Sequence, residues 1–265
     1  MSVPVAPVLE IDNLSVRFPQ PDGTHATILD RIDLAIAPGE LVVLLGASGC
    51  GKSTLLNAVA GFLHPTDGAI RAHGRVVSAP GADRGVVLQS DALYPWLNAR
   101  DNVAFGLRLK GTPKAERLKL ADEALRLVGL ATYGDHAVWQ LSGGMRQRVS
   151  LARAVVADPE ILLMDEPLGA LDALTREQMQ DLVLEIWQRT GKTILFVTHG
   201  LDEALYLATR LIVLAGKPGR VVLDEASDFG RRALRDGAGA SVKSTPEFAA
   251  FRERLRTSIF AGVDA

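Results

Sequence analysis

Cysteine, net charge and long apolar runs are all scarce in this chain, and each scarcity removes a class of protein. One cysteine, Cys50, among 265 residues excludes an internal disulfide and matches a reducing compartment. A formal net charge of −2 offers no broad positive surface for nucleic acid, so none is expected as a partner. No run of about eighteen apolar residues occurs, which argues against a membrane-spanning helix. Met1-Ser2-Val3-Pro4 does not begin a signal peptide, so the chain is expected to be made and kept in the cytosol. Repeats at solenoid or propeller periods are missing too. Apolar content, by contrast, is ample: 48% of residues are hydrophobic, enough to bury a sizeable core.

The most informative stretch is Gly46-Ala47-Ser48-Gly49-Cys50-Gly51-Lys52-Ser53, which satisfies G-x-x-x-x-G-K-[ST]. It follows the apolar run Leu41-Val42-Val43-Leu44-Leu45 and precedes helix-compatible residues, the strand, loop and helix order that a phosphate-binding loop requires. Glycines let the chain turn tightly and aim successive N–H groups inward, and the following helix adds its positive end. Lys52 is expected to reach the β- and γ-phosphates as a point charge and the Ser53 hydroxyl to ligate Mg²⁺. Thr54 is placed to contact the α-phosphate. The competing reading is a glycine-rich turn that matches by chance.

A second apolar run, Ile161-Leu162-Leu163-Met164, ends in Asp165, Glu166 and Pro167. Such a pair is also an ordinary strand exit into a turn. Coming after a phosphate loop, it reads as Asp165 on the Mg²⁺ shell and Glu166 as general base for the attacking water.

Leu141-Ser142-Gly143-Gly144, followed by Met145-Arg146-Gln147-Arg148, supplies a second anion site: a serine and glycine N–H groups open a helix and can receive a γ-phosphate. With it, the chain resembles the ATP-binding subunits of ABC (ATP-binding cassette) transporters over about residues 8–260. The resemblance implies an α/β P-loop NTPase cassette with a RecA-like core, an antiparallel β subdomain and a helical insertion. The expected division is 1–90, 91–157, 158–225 and a C-terminal extension 226–265. It further implies a homodimer in which Ser142, Gly143 and Gly144 bind the γ-phosphate held by the opposite subunit. Met145 stands where glutamine is common in the family.

Other positions take roles from the same resemblance. Gln89 matches the glutamine that senses Mg²⁺ and the attacking water, and His199, after Ile194-Leu195-Phe196-Val197-Thr198, the histidine on the γ-phosphate. Asp172, in Gly169-Ala170-Leu171-Asp172, falls in the loop along the dimer interface. Gly169 and Gly200 replace the more usual serine and aspartate. Phe18, in place of the commoner tyrosine, is the candidate platform for adenine, with core filling as its alternative; stacking adds about 0.5–1.5 kcal/mol beyond burial. Leu93-Tyr94-Pro95-Trp96-Leu97 is a candidate groove for a short helix of a membrane subunit, or a small core under a loop.

Within the family the chain resembles importer ATPases of the nitrate/sulfonate/taurine group. Gly81-Ala82-Asp83-Arg84-Gly85-Val86-Val87, Trp139-Gln140-Leu141-Ser142-Gly143-Gly144 and Lys217-Pro218-Gly219-Arg220-Val221 carry that likeness. The implied protein is an ATPase on the cytoplasmic face of a bacterial inner membrane. Its implied partners are two transmembrane permease subunits and a periplasmic or lipid-anchored binding protein. Sulfonates, taurine first, are the implied cargo, with alkanesulfonates, nitrate and thiamine pyrimidine precursors open. The reading from a different class is an ABC ATPase outside transport that acts on DNA or ribosomes.

Strand-like segments are expected near 8–18, 31–36, 41–45, 84–88, 161–164, 194–198 and 210–214. Leu118, Ala121, Leu125 and Val128 keep the spacing of one helix face that Gly129 ends. The extension is expected to be an appendage whose arginines form a solvated face or meet phospholipid headgroups.

Overall fold

A computed structural model describes residues 6–236 and 239–261, so Met1-Ser2-Val3-Pro4 and Gly237-Ala238 lie outside the described residues. In chain order the strands and helices begin with β1 (Leu9–Pro19), β2 (His25–Ile36), β3 (Leu41–Leu45), α1 (Lys52–Ala60), β4 (Asp67–Ala72), β5 (Arg75–Val76) and β6 (Arg84–Val87). Then come α2 (Ala99–Leu109), α3 (Lys114–Leu127), a 3₁₀ turn (Val138–Gln140), α4 (Gly143–Val156), β7 (Ile161–Asp165) and α5 (Ala173–Thr190). The chain continues through β8 (Thr193–Thr198), α6 (Leu201–Leu207), β9 (Arg210–Ala215), β10 (Arg220–Ala226), α7 (Phe229–Asp236), α8 (Gly239–Lys243) and α9 (Pro246–Ala261). Two compact units form: residues up to Gly81 together with those from Thr190 onward, and Ala82–Arg189.

The first unit holds an antiparallel sheet in the order β2-β1-β4-β5 and a mixed layer in the order β10-β9-β3-β8. β3 pairs in parallel with both β8 and β9. Every residue of Leu41–Leu45 is buried, which is why this strand is a continuous aliphatic run rather than an alternating one. β10 closes the layer antiparallel to β9, and its side chains alternate between exposed and half-buried, as an edge strand with one covered face should.

β4, β5 and β10 were not among the segments expected from sequence. β4 carries Asp67, Gly68 and Arg71 and buries only Ile70 and Ala72, so its pattern is too weak to announce a strand. The segment expected to begin at residue 31 is one strand from His25 to Ile36. Shifts in its register with β1 interrupt the alternation from which a strand is read.

In the second unit β6 and β7 pair in parallel, and α2 packs against α3 and α4. Asn98 caps α2 by accepting from the Asp101 N–H at 2.7 Å. The expected stripe is present: Ala121, Leu125 and Val128 are buried, Ala124 joins them, and Leu118 is half-buried. Gly129, with φ of 74°, takes the left-handed conformation that ends a helix with little strain.

The described part of the C-terminal extension is packed against the chain's earlier elements. α7 and α9 lie against α6, and α9 also reaches β9. Phe229, Phe248, Phe251 and Leu255 are buried there, with the Phe229 and Phe248 rings edge to face at 5.1 Å. Its arginines include intramolecular partners: Arg252 pairs with Asp202 at 3.5 Å and Arg254 with Glu225 at 3.3 Å.

Candidate functional site

In the first unit, the register of β3 and β8 decides what meets at the sheet edge. Leu45 lies opposite Thr198, so Gly46 and His199 leave the carboxyl ends of adjacent parallel strands at the same level. That edge is where ligands bind in α/β sheets. The loop beginning at Gly46 turns through Gly49 (φ 81°) and Gly51 (φ 99°), conformations that strain any other residue. A Cβ on Gly51 would stand 2.6 Å from Leu29 Cδ2, so space excludes a side chain as well.

Lys52 opens α1 and is 4% exposed. Its ammonium donates to the carbonyls of Gly46 at 2.9 Å and Ala47 at 3.0 Å, which holds a positive charge inside the loop. Ala47, Ser48, Gly49 and Ser53 are exposed and Thr54 half-buried. Cys50 is 4% exposed, and burial pushes its thiol above the usual range. The thiol therefore fills the space beneath the loop and is poorly placed for reagents.

The turn between β9 and β10 is bonded to β2 and abuts this loop. Gly219 donates to Ile28 O at 2.8 Å and accepts from the Asp30 N–H at 3.1 Å, and a Cβ on it would stand 2.0 Å from Cys50 O. Phe18, on β1 opposite Ala26, keeps 41% of its surface exposed, so the ring has an open face. His199 is exposed, and beyond it the Gly200 N–H donates to Thr198 Oγ1 at 2.9 Å.

In the second unit the register of β6 and β7 performs the same alignment. Val87 lies opposite Met164, so two residues further on Gln89 and Glu166 leave the sheet at one level. Glu166 has φ of 43°, a left-handed conformation that a non-glycine residue adopts at a cost and that clusters at functional sites. Gly169 sits between them. A Cβ there would lie 3.5 Å from Gln89 Nε2 and 3.9 Å from a Glu166 carboxylate oxygen, so the bare glycine leaves room between amide and carboxylate. Asp165 is half-buried at the strand end.

Ser142 caps α4, its Oγ accepting from the Met145 N–H at 3.3 Å. Gly144 must be small, because a Cβ there would stand 2.5 Å from Thr175 Cγ2. Asp172 caps α5: its carboxylate accepts from the Thr175 N–H at 3.0 Å and hydroxyl at 2.7 Å, and those bonds hold its pKa below the usual carboxylate range. Among the described residues, no group of three or more His, Cys, Asp or Glu side chains could hold a metal ion, and no helix is long and apolar enough to cross a membrane.

Sequence reasoning missed Gly219 and the side chains of α4 that grip the loop after Gln89. Gly219 lay within a stretch matched only for family likeness. The α4 contacts have no motif and emerge only from the packing of one helix face.

The chain is similar to known proteins along most of its length. The family model described as ABC transporter matches residues 29–169. The taurine import ATP-binding protein TauB of Mesorhizobium japonicum is 51% identical over 259 residues, covering 98% of this chain and all of that protein. Its namesake in Chromobacterium violaceum is 51% identical over 96% of both chains. Among solved structures, the dimeric cassette MJ0796 in a post-hydrolysis state bound to ADP and Pi superimposes with a TM-score of 0.71 at 32% identity, covering 82% of this chain and 98% of that one. Clostridium perfringens cbiO1, part of the ABC transporter complex cbiONQ, gives 0.75 at 28% identity, covering 94% and 99%.

Proposed function

Because this chain belongs to the ABC transporter family, we propose that it is the ATP-hydrolysing subunit of an importer whose cargo is a sulfonate, taurine first. The near-full-length match to taurine import ATP-binding proteins carries the reading to taurine. The buried Lys52 ammonium within a glycine loop supports a polyphosphate as the ligand.

In this reading the loop N–H groups of residues 46–54 and Lys52 hold the phosphates of ATP, with Phe18 under the adenine. Ser53, Gln89 and Asp165 offer hard oxygen donors to Mg²⁺. A cation that arrives with phosphates and keeps several waters needs only one or two carboxylates from the protein. When bound, Mg²⁺ neutralises charge on the terminal phosphates. Glu166 takes the role of general base toward the attacking water, Gln89 orients that water, and His199 holds the γ-phosphate.

Two copies of the chain act together, each offering Ser142, Gly143 and Gly144 to the nucleotide of the other. Asp172, engaged in its helix cap, shapes the interface loop. Permease subunits hold the pair at the cytoplasmic face of the inner membrane, and a binding protein outside the cell delivers cargo.

The exposed Trp96, with the Tyr94 ring 5.4 Å away, is the proposed contact for a permease helix. Trp96→Ala should keep ATP binding and weaken assembly with the permease; unimpaired transport would sink that assignment.

The deciding experiment is growth of a deletion strain on taurine as sole sulfur source, with sulfate as control. Rescue by wild type but not by Glu166→Gln is the expected result. Normal growth of the deletion strain on taurine would move the cargo to another small anion or precursor.

A further inference from the structure

Gln89 is exposed, so its own burial does not fix it. The residues on either side of it are held by one face of the helix that Ser142 caps. Gln147, 4% exposed, donates through Nε2 to Leu88 O at 3.3 Å. Arg146 donates through Nε to the Asp91 carboxylate at 2.8 Å and through Nη1 to Leu141 O at 2.9 Å. Two turns along α4, Arg153 donates to Ala92 O at 2.9 Å and Asp91 O at 3.2 Å, and its guanidinium lies 5.7 Å from the centre of the Tyr94 ring.

The gripped backbone is itself strained. Ala92 has φ of 46°, a conformation that persists only where the surroundings over-determine it. Arg153 bonds the carbonyls of residues 91 and 92, so it anchors that bend. Arg146 also acts on Asp91, the nearer of those two residues to Gln89, and through its side chain rather than the backbone. A lone half-exposed ion pair contributes little to stability. This one, tethered at Leu141, fixes the direction in which the chain leaves Gln89.

We propose that Arg146 and Asp91 are a positioning pair that sets Gln89 for hydrolysis, over an anchor made by Arg153. The proposal rests on the reading of Gln89 as a residue that orients the attacking water. It makes α4 and the Gln89 loop one mechanical piece, so a displacement of either is carried to the other.

The test uses the full chain co-expressed with its permease subunits and compares Gln89→Ala, Asp91→Ala, Arg146→Ala, the double alanine variant and the exchanged pair Asp91→Arg/Arg146→Asp. Turnover, KM for ATP and ATP affinity are measured for each, with a thermal melt to verify folding. Gln89→Ala should lower kcat. Each single alanine variant at the pair should lower kcat about tenfold, the size of a coupling between contacting residues, with ATP affinity unchanged. The double variant should be no worse than either single, and a folded exchanged pair should recover turnover. Losses that add in the double variant, or full turnover in both singles while Gln89→Ala is impaired, overturn the positioning pair. Full turnover in Gln89→Ala overturns the reading beneath it, and the pair with it.

Discussion

Lys52 Nζ donates to the carbonyl of Gly46, six residues earlier in its own loop, at 2.9 Å. The contact holds a buried ammonium where a polyphosphate would need it before any ligand arrives, and the ordering cost on binding is correspondingly small. Lys52→Ala should weaken ATP binding about tenfold to a hundredfold, the value of one charge-assisted hydrogen bond. Calorimetric titration checks this, and an unchanged affinity would remove Lys52 from the phosphate site.

Glu166 tests a different step. Replacing its carboxylate by the isosteric amide keeps size and shape while removing the base. Glu166→Gln should retain ATP affinity and lose about a hundredfold to ten-thousandfold in turnover. Single-turnover hydrolysis at saturating ATP reads the difference, and wild-type rates would move the base to another residue.

Gly219 lies 173 residues beyond Gly46, yet its α-carbon abuts the phosphate loop. A methyl group there would stand 2.0 Å from Cys50 O, a backbone atom that can yield only if the loop moves. Gly219→Ala should cost about 1–3 kcal/mol in stability as an overpacking change and also weaken ATP binding. Urea denaturation and nucleotide titration measure the two effects. A stable variant with normal affinity would show that the turn and the loop can separate.

Cys50 gives a pH signature. Burial raises the thiol's pKa in the folded state above its unfolded value. Its contribution to stability is therefore full below the unfolded pKa of about 8.5 and is lost as pH rises through the folded value. Alkylation of folded protein near pH 8 should be slow and should accelerate on unfolding. Cys50→Ser should flatten the alkaline loss of stability; rapid labelling of the folded chain would contradict this picture.

The candidate site was legible where chemistry is local. The loop from Gly46 to Ser53 and the pair Asp165 and Glu166 stand out because phosphate binding and water activation, the roles proposed for them, demand particular residues at fixed spacing. The buried strands β3, β7 and β8 were equally clear, since two covered faces leave apolar interiors, with Asp165, Thr193 and Thr198 only at strand ends. β4, β5 and β10 were hidden by short length, glycine or charged edge residues. The docked extension was hidden for another reason: Phe229, Phe248 and Leu255 acquire a partner surface only once α6 is in place. Contacts such as Arg146 with Asp91 span 55 residues, and no periodicity encodes them. The capping duty of Asp172 could have been read from Thr175 three residues later.

The docking of α9 against α6 and β9 also sets an order of events during synthesis. α6, β9 and Phe229 emerge from the ribosome before α9, which packs against α6 and β9 and whose Phe248 ring meets Phe229. Until residues 246–255 are free, a nascent chain that already contains residues 46–53 still carries an unfinished apolar face. The last helix thus acts as a seal on the newborn protein. Chains cut short before Phe248 should be marked for chaperones or proteolysis by that open face, even though every residue proposed to bind nucleotide has been made.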